Sequence, residues 1–114
     1  MTETLADEDQ KLVVLARGAL ARAEARSGAA VRDGDGRTYA GAEVRAKTLT
    51  LSGLQVAVAS ALSSGATAFE AAVLVNGHAD DPGLAILHEF SPQAYVVITD
   101  AAGRPQHRLG GDDA

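Results

Sequence analysis

The sequence predicts an α/β fold, a mixed sheet sandwiched between helices, and three observations lead there. Two uninterrupted apolar runs, Ala71-Ala72-Val73-Leu74-Val75 and Tyr95-Val96-Val97-Ile98, have the length and β-branched content of inner strands. Between them lies one short segment with helix signals, and a strand–helix–strand unit packs with parallel strands and a right-handed crossover. Ahead of the pair, two longer helical patterns flank a glycine-rich hairpin signal. The predicted order is α-β-β-α-β-α-β, with one more edge segment, in three α-β-α layers.

The first helix is predicted over Thr2 to Arg26. Leu12, Val13, Ala16, Ala19, Leu20 and Ala23 recur at three- and four-residue spacing and form one apolar face. Asp7-Glu8-Asp9-Gln10 has the form of a capping box with Asp7 as cap. Acids early (Glu3, Asp7, Glu8, Asp9) and arginines late (Arg17, Arg22, Arg26) complement the helix dipole, and the stop is predicted near Ser27-Gly28. Ala29-Ala30-Val31 then begins a hairpin. Its turn is Asp33-Gly34-Asp35-Gly36 and its return strand runs from Arg37 to Val44. The turn lacks the alternating oxygens and closing glutamate of a calcium loop.

A second capping box, Ser52-Gly53-Leu54-Gln55, opens a helix to Ser64 that is apolar on nearly every side and so belongs at the centre of the molecule; Gly65 stops it. After the strand from Phe69 to Val75, Asn76-Gly77 turns the chain. Asp81-Pro82 starts a short helix with apolar Leu84, Leu87 and Phe90, and Ser91-Pro92 ends it. The strand Ala94 to Thr99, a turn at Ala101-Ala102-Gly103 and an edge segment over Arg104 to Leu109 follow. A single domain over residues 1–110 and a frayed tail over 111–114 are predicted.

Composition narrows the function classes. There is no cysteine, so no disulfide, thiolate metal site or cysteine nucleophile can form. The net charge is −5 and the ten Lys and Arg are scattered, which reads as a solvated surface and disfavours nucleic-acid binding. Neither a secretory leader nor a long apolar run is present, and a cytoplasmic location is expected. Alanine supplies much of the 46% hydrophobic fraction and aromatics only 4%, so little apolar area is buried per residue, which favours homo-oligomerisation. No serine nucleophile elbow, P-loop or Rossmann glycine pattern occurs.

Several local strings, in order and spacing, resemble the small zinc-dependent cytidine deaminases over roughly residues 8 to 108. That family carries a VGAAL-type strand, a DGR-type turn, an aromatic residue and G-x-N-V-E-N. This chain has Ser27-Gly28-Ala29-Ala30-Val31, then Asp35-Gly36-Arg37-Thr38-Tyr39, then Gly41-Ala42-Glu43-Val44-Arg45-Ala46. Ala61-Leu62-Ser63-Ser64-Gly65 with Phe69-Glu70-Ala71-Ala72-Val73, and later Leu87-His88-Glu89-Phe90, match further family strings. The resemblance implies the family's three-layer sandwich, a zinc cofactor, hydrolysis of cytidine, and dimers or tetramers packed through helices. Zinc deaminases take metal ligands from two helix starts and use a glutamate to move protons.

At the first motif, C-A-E, two alignments stand. One places Ser52 at the ligand and Leu54 at the glutamate; the other places Leu54 at the ligand and Val56 at the glutamate. Both leave an aliphatic residue where the proton shuttle belongs. At the second motif, P-C-x-x-C, the ligand positions become Asp80 and Gly83. Zinc of this type needs three protein ligands, and none is expected to bind. Ordinary caps, Ser52 with Gln55 and Asp81 with Pro82, stand in the vacated places. The family's ribose-binding pair falls on Glu43 and Arg45.

The sequence therefore predicts a catalytically inactive member without zinc, an oligomeric interaction or structural protein with a possible protein partner. The alternative is a nucleoside- or nucleotide-binding protein, or a deaminase with an atypical site. Its ligand-binding candidates are Glu43, Arg45, Asp80 and Asp81, and two converging helix N-termini could hold an anion. A different metal centre built from His78, Asp80, Asp81 and His88 is a further, lesser candidate; His107 belongs to an edge.

Overall fold

The computed structural model describes residues 5–110. A five-stranded sheet in the order β2-β1-β5-β6-β7 forms the middle layer: β1 (Gly28–Asp33), β2 (Thr38–Ala42), β5 (Phe69–Val75), β6 (Tyr95–Thr99) and β7 (Pro105–Leu109). The pair β5–β6 is parallel and the other three pairings are antiparallel, so the sheet is mixed. Helix α1 (Asp7–Ala23) covers one face; α2 (Gly53–Ser63) and α3 (Gly83–Phe90) cover the other.

Strand alternation builds the two faces. Ala30, Ala71, Val73, Val75 and Val97 meet Leu12, Val13 and Ala16 of α1. Ala29, Val31, Ala72, Leu74, Val96 and Ile98 meet Leu54, Ala57, Val58 and Ala61 of α2 and Leu87 of α3. The small side chains let the layers approach closely. At Gly41 a Cβ would lie 2.6 Å from Val56 Cγ1, so only glycine lets α2 settle on β2 there. Among the described residues no helix is long and apolar enough to cross a membrane.

The second helix matches its sequence signature closely. Ser52 Oγ accepts from Gln55 N–H, and Ser52 N–H donates to Gln55 Oε1, a complete capping box. The start of α1 does not. Its cap is Ala6, without a side-chain bond, and Asp7 lies inside the helix. The carbonyl of Ala6 already accepts from Gln10 N–H, so the cap lies one residue before the predicted Asp7, while the helix itself begins at Asp7 and Leu5 and Ala6 of the predicted span are not helical. Part of the predicted Thr2–Arg26 helix, residues 2–4, lies outside the described residues, as does the 111–114 tail. The other end stops at Ala23, with Glu24 in the left-handed region (φ 54°), because the chain must turn to enter β1.

The predicted return strand from Arg37 to Val44 is also divided. It leaves the main sheet after Ala42, and β3 (Val44–Arg45) pairs with β4 (Thr50–Leu51) as a separate two-stranded ribbon. In the hairpin turn, Asp33 Oδ1 accepts from the N–H groups of Asp35 and Arg37 and Oδ2 accepts from Tyr39 O–H. Burial opposes ionisation of Asp33, but these bonds outweigh it and hold the carboxyl below its usual range. Such a group stabilises the fold above the unfolded carboxylate pKa of about 3.9, and the gain is lost as pH falls through the lower folded value. The stability difference between the native chain and Asp33→Asn, measured by urea unfolding, is therefore expected to shrink between about pH 6 and about pH 3.

Charge enters the core on the α1 side. Arg32, on β1, donates from Nη1 to Asp9 Oδ1 (3.2 Å), from Nη2 to Tyr95 Oη (3.0 Å) and from Nε to Glu70. Tyr95 O–H donates to Asp9 Oδ1 (2.7 Å). Asp9 and Arg32 are both buried. The sequence places Asp9 in the first turn of α1, where it lies, but gives no sign of its burial; Arg32, expected among the scattered surface cations, is instead buried. Burial lowers the affinity of Arg32 for its proton, yet the bonds to Glu70 and Tyr95 more than reverse this, and its pKa stands above the ordinary value. A register shift aims Glu70 at Arg32. Arg32 pairs with Ala71 and Asp33 with Phe69, leaving Glu70 as the extra residue of a bulge.

Candidate functional site

Asn76-Gly77 carries the chain out of β5 over the sheet end where α2 and α3 begin. Sites in α/β proteins gather at such carboxyl ends of strands. A cleft of about 320 Å³ opens there, and Glu43, Arg45, Ser52, Asp80 and Asp81 all line it. The structure thus brings together all four ligand-binding candidates and the capping serine.

Two kinds of arrangement make up the walls. On one side Glu43 stands between two cations, Arg45 Nε at 3.1 Å and Arg26 Nε at 3.9 Å. Asn76, held with φ 58°, donates from Nδ2 to Arg26 O (2.8 Å) and so ties the end of β5 to the segment after α1. On the other side the two helix starts touch each other. Ser52 Oγ–H donates to Asp81 Oδ1 at 2.7 Å, and the same oxygen accepts from Gly83 N–H, also at 2.7 Å. Asp81 is therefore a cap, as its position before Pro82 predicts, although Pro82 is already helical (φ −64°, ψ −17°).

The aliphatic candidates lie deeper. Leu54 is fully buried, and Val56 is half-buried against Gly41. His78 lines the cleft, but His88 points elsewhere, with Nε2 3.1 Å from Ala94 O, and His107 is exposed on β7. Among the described residues no three His, Cys, Asp or Glu side chains converge as a metal ion would require. The donors at the two helix starts do not fit zinc. They are one serine hydroxyl already bonded to Asp81, one carboxylate already serving as a cap, and Asp80, with no nitrogen or sulfur among them.

Arg26, Ser27 and Asn76 were not singled out from the sequence. The signal for Asn76 was present, an Asn-Gly pair directly after an inner strand. A larger depression of about 550 Å³ lies at the other end of β5, where Arg108 stacks 4.2 Å above the Tyr95 ring beside Glu70. Size alone would favour it. The smaller cleft is the stronger candidate because both helix N-termini and both strand-end loops deliver polar groups into it.

Comparison with known proteins places this arrangement. A family model described as cytidine deaminase-like matches residues 5–103. Among solved structures, the cytidine deaminase from Burkholderia pseudomallei is similar, with a TM-score of 0.75 and 22% identity over 93% of each chain. Cytidine deaminase from Mycobacterium tuberculosis has a TM-score of 0.68 and 24% identity over 90% of this chain and 91% of its own. That from Mycobacterium leprae has a TM-score of 0.64 and 22% identity over 90% and 93%. At these identities the structures show the shared fold alone. No curated protein matches the sequence at a significant level.

Proposed function

The chain belongs to the cytidine deaminase-like family, and we propose that it is a member that does not deaminate, acting instead as a homo-oligomer that presents a surface to another protein. One observation carries this reading: the helix starts that hold metal in zinc deaminases are here bonded to each other through Ser52 and Asp81. Hydrolytic deamination needs an activated water and a group to move its proton. Under either alignment that group is replaced by Leu54 or Val56, neither of which exchanges protons.

The surface supports the associative half. From Thr48 through Phe69 no residue is ionisable, and Ala59, Ser60 and Ser63 of α2 face solvent. On a chain of net charge −5, this face lets two copies meet without like-charge repulsion. Protein purified without chelator is expected to hold no stoichiometric zinc and to release no ammonia from cytidine. Light scattering at micromolar concentration is expected to show a dimer or tetramer. Ammonia release would overturn the first half of the proposal and a strict monomer the second.

A second reading, binding of a nucleoside or nucleotide without chemistry, rests on the open wall of the cleft. Its volume lies within the range of small-molecule pockets, and Glu43, Arg45 and Asp80 line it. Thermal shift with nucleosides and nucleotides tests it; no shift with any of them ends it.

A further inference from the structure

We propose that Ser52 and Asp81 form a cross-helix tie that takes over the mechanical work of a metal, fixing the starts of α2 and α3 to each other. The inference concerns how the site is held and stands whether or not the protein associates or binds a ligand. Ordinary capping does not require it. Ser52 already caps its own helix by accepting from Gln55 N–H (3.1 Å), and Asp81 caps its own by accepting from Gly83 N–H. The remaining proton on Ser52 Oγ crosses 29 residues of sequence to Asp81 Oδ1.

The result is one continuous series: Gln55 N–H to Ser52 Oγ, Ser52 Oγ–H to Asp81 Oδ1, and Gly83 N–H to the same Oδ1. Bonds in series polarise one another, and the anionic acceptor strengthens those it receives. One carboxylate also faces the positive ends of both helices.

Packing beneath the tie points the same way. A Cβ on Gly83 would lie 2.7 Å from Leu54 Cγ and 2.9 Å from Gln55 N. The two helix starts are thus in direct contact, with Leu54 filling the space under the hydrogen bonds. Position 83, one of the two ligand positions of the second motif, has no room for a side chain unless Leu54 moves. The metal site cannot be rebuilt by exchanging ligand residues alone.

Thermal unfolding of the full chain tests the tie. Ser52→Ala and Asp81→Ala each remove a cap as well as the cross bond, so the double variant is expected to lose less than the sum of the two, by about 4 °C in Tm. Ser52→Thr, which keeps a hydroxyl, is expected to stay closer to the native Tm than Ser52→Ala. Zinc and chelator are expected to leave the native Tm unchanged. Additive losses would overturn the tie, and so would a Tm that falls with chelator. If an alanine variant does not fold, Ser52→Gly and Asp81→Gly, which delete the same side-chain bond at a smaller capping cost, complete the cycle instead; additivity there overturns the proposal equally.

Discussion

Replacing Arg32 by methionine is expected to reduce the free energy of unfolding by about 3–5 kcal/mol, seen as a lower urea midpoint at unchanged slope. The loss comes less from the attraction that disappears than from the charge left behind. Asp9 is buried on α1, and Arg32 is its cationic partner. With methionine at position 32, the Asp9 carboxylate keeps, among the described residues, only the hydroxyl of Tyr95. Combining Arg32→Met with Asp9→Leu removes that stranded charge, and the pair is expected to unfold at higher urea than Arg32→Met alone. Glu70→Ala is expected to be much milder, since the Glu70 side chain is largely exposed and the arginine keeps Asp9. If Arg32→Met proved as mild as Glu70→Ala, the cluster would not be a stabilising centre.

Leu54→Ala is expected to lose about 2–5 kcal/mol by the same measurement. Leu54 is fully buried in the larger core, under the point where α2 and α3 begin. Its removal costs transfer energy and leaves a cavity. The backbone on either side is held by the capping box and by Asp81, so collapse into that cavity is restricted, and the loss belongs in the upper part of the range. A loss below about 1 kcal/mol would mean that the helix starts close up readily and that Leu54 is not their support.

Legibility from the sequence followed the range of each interaction. The capping box at Ser52, the hairpin turn at Asp33, the apolar strands and the Asp81-Pro82 start all read correctly because their signals lie within a few residues. Asp9 and Arg32 did not, because nothing adjacent to either marks it as buried. From Asp9, Arg32 lies 23 and Tyr95 86 residues along the chain, and only the folded sheet brings them together. The β3–β4 ribbon, two residues per strand, is too short to carry an alternation pattern. In the candidate site, Glu43, Arg45, Ser52 and Asp80 were found through family resemblance rather than local chemistry. The bond between Ser52 and Asp81 was hidden for a different reason: each reads fully as a local cap, which gives no cause to look for a second partner.

The bulge in β5 sets two demands against each other. A ladder without the extra residue would pair β1 and β5 evenly along their length. It would also lack Glu70, the extra residue, whose carboxylate accepts from Arg32 Nε. Shortening this strand by that residue would therefore make the backbone more regular and leave the guanidinium with Asp9 and Tyr95 as its partners. Variation in length should accordingly be tolerated in the turn between β1 and β2 sooner than in β5.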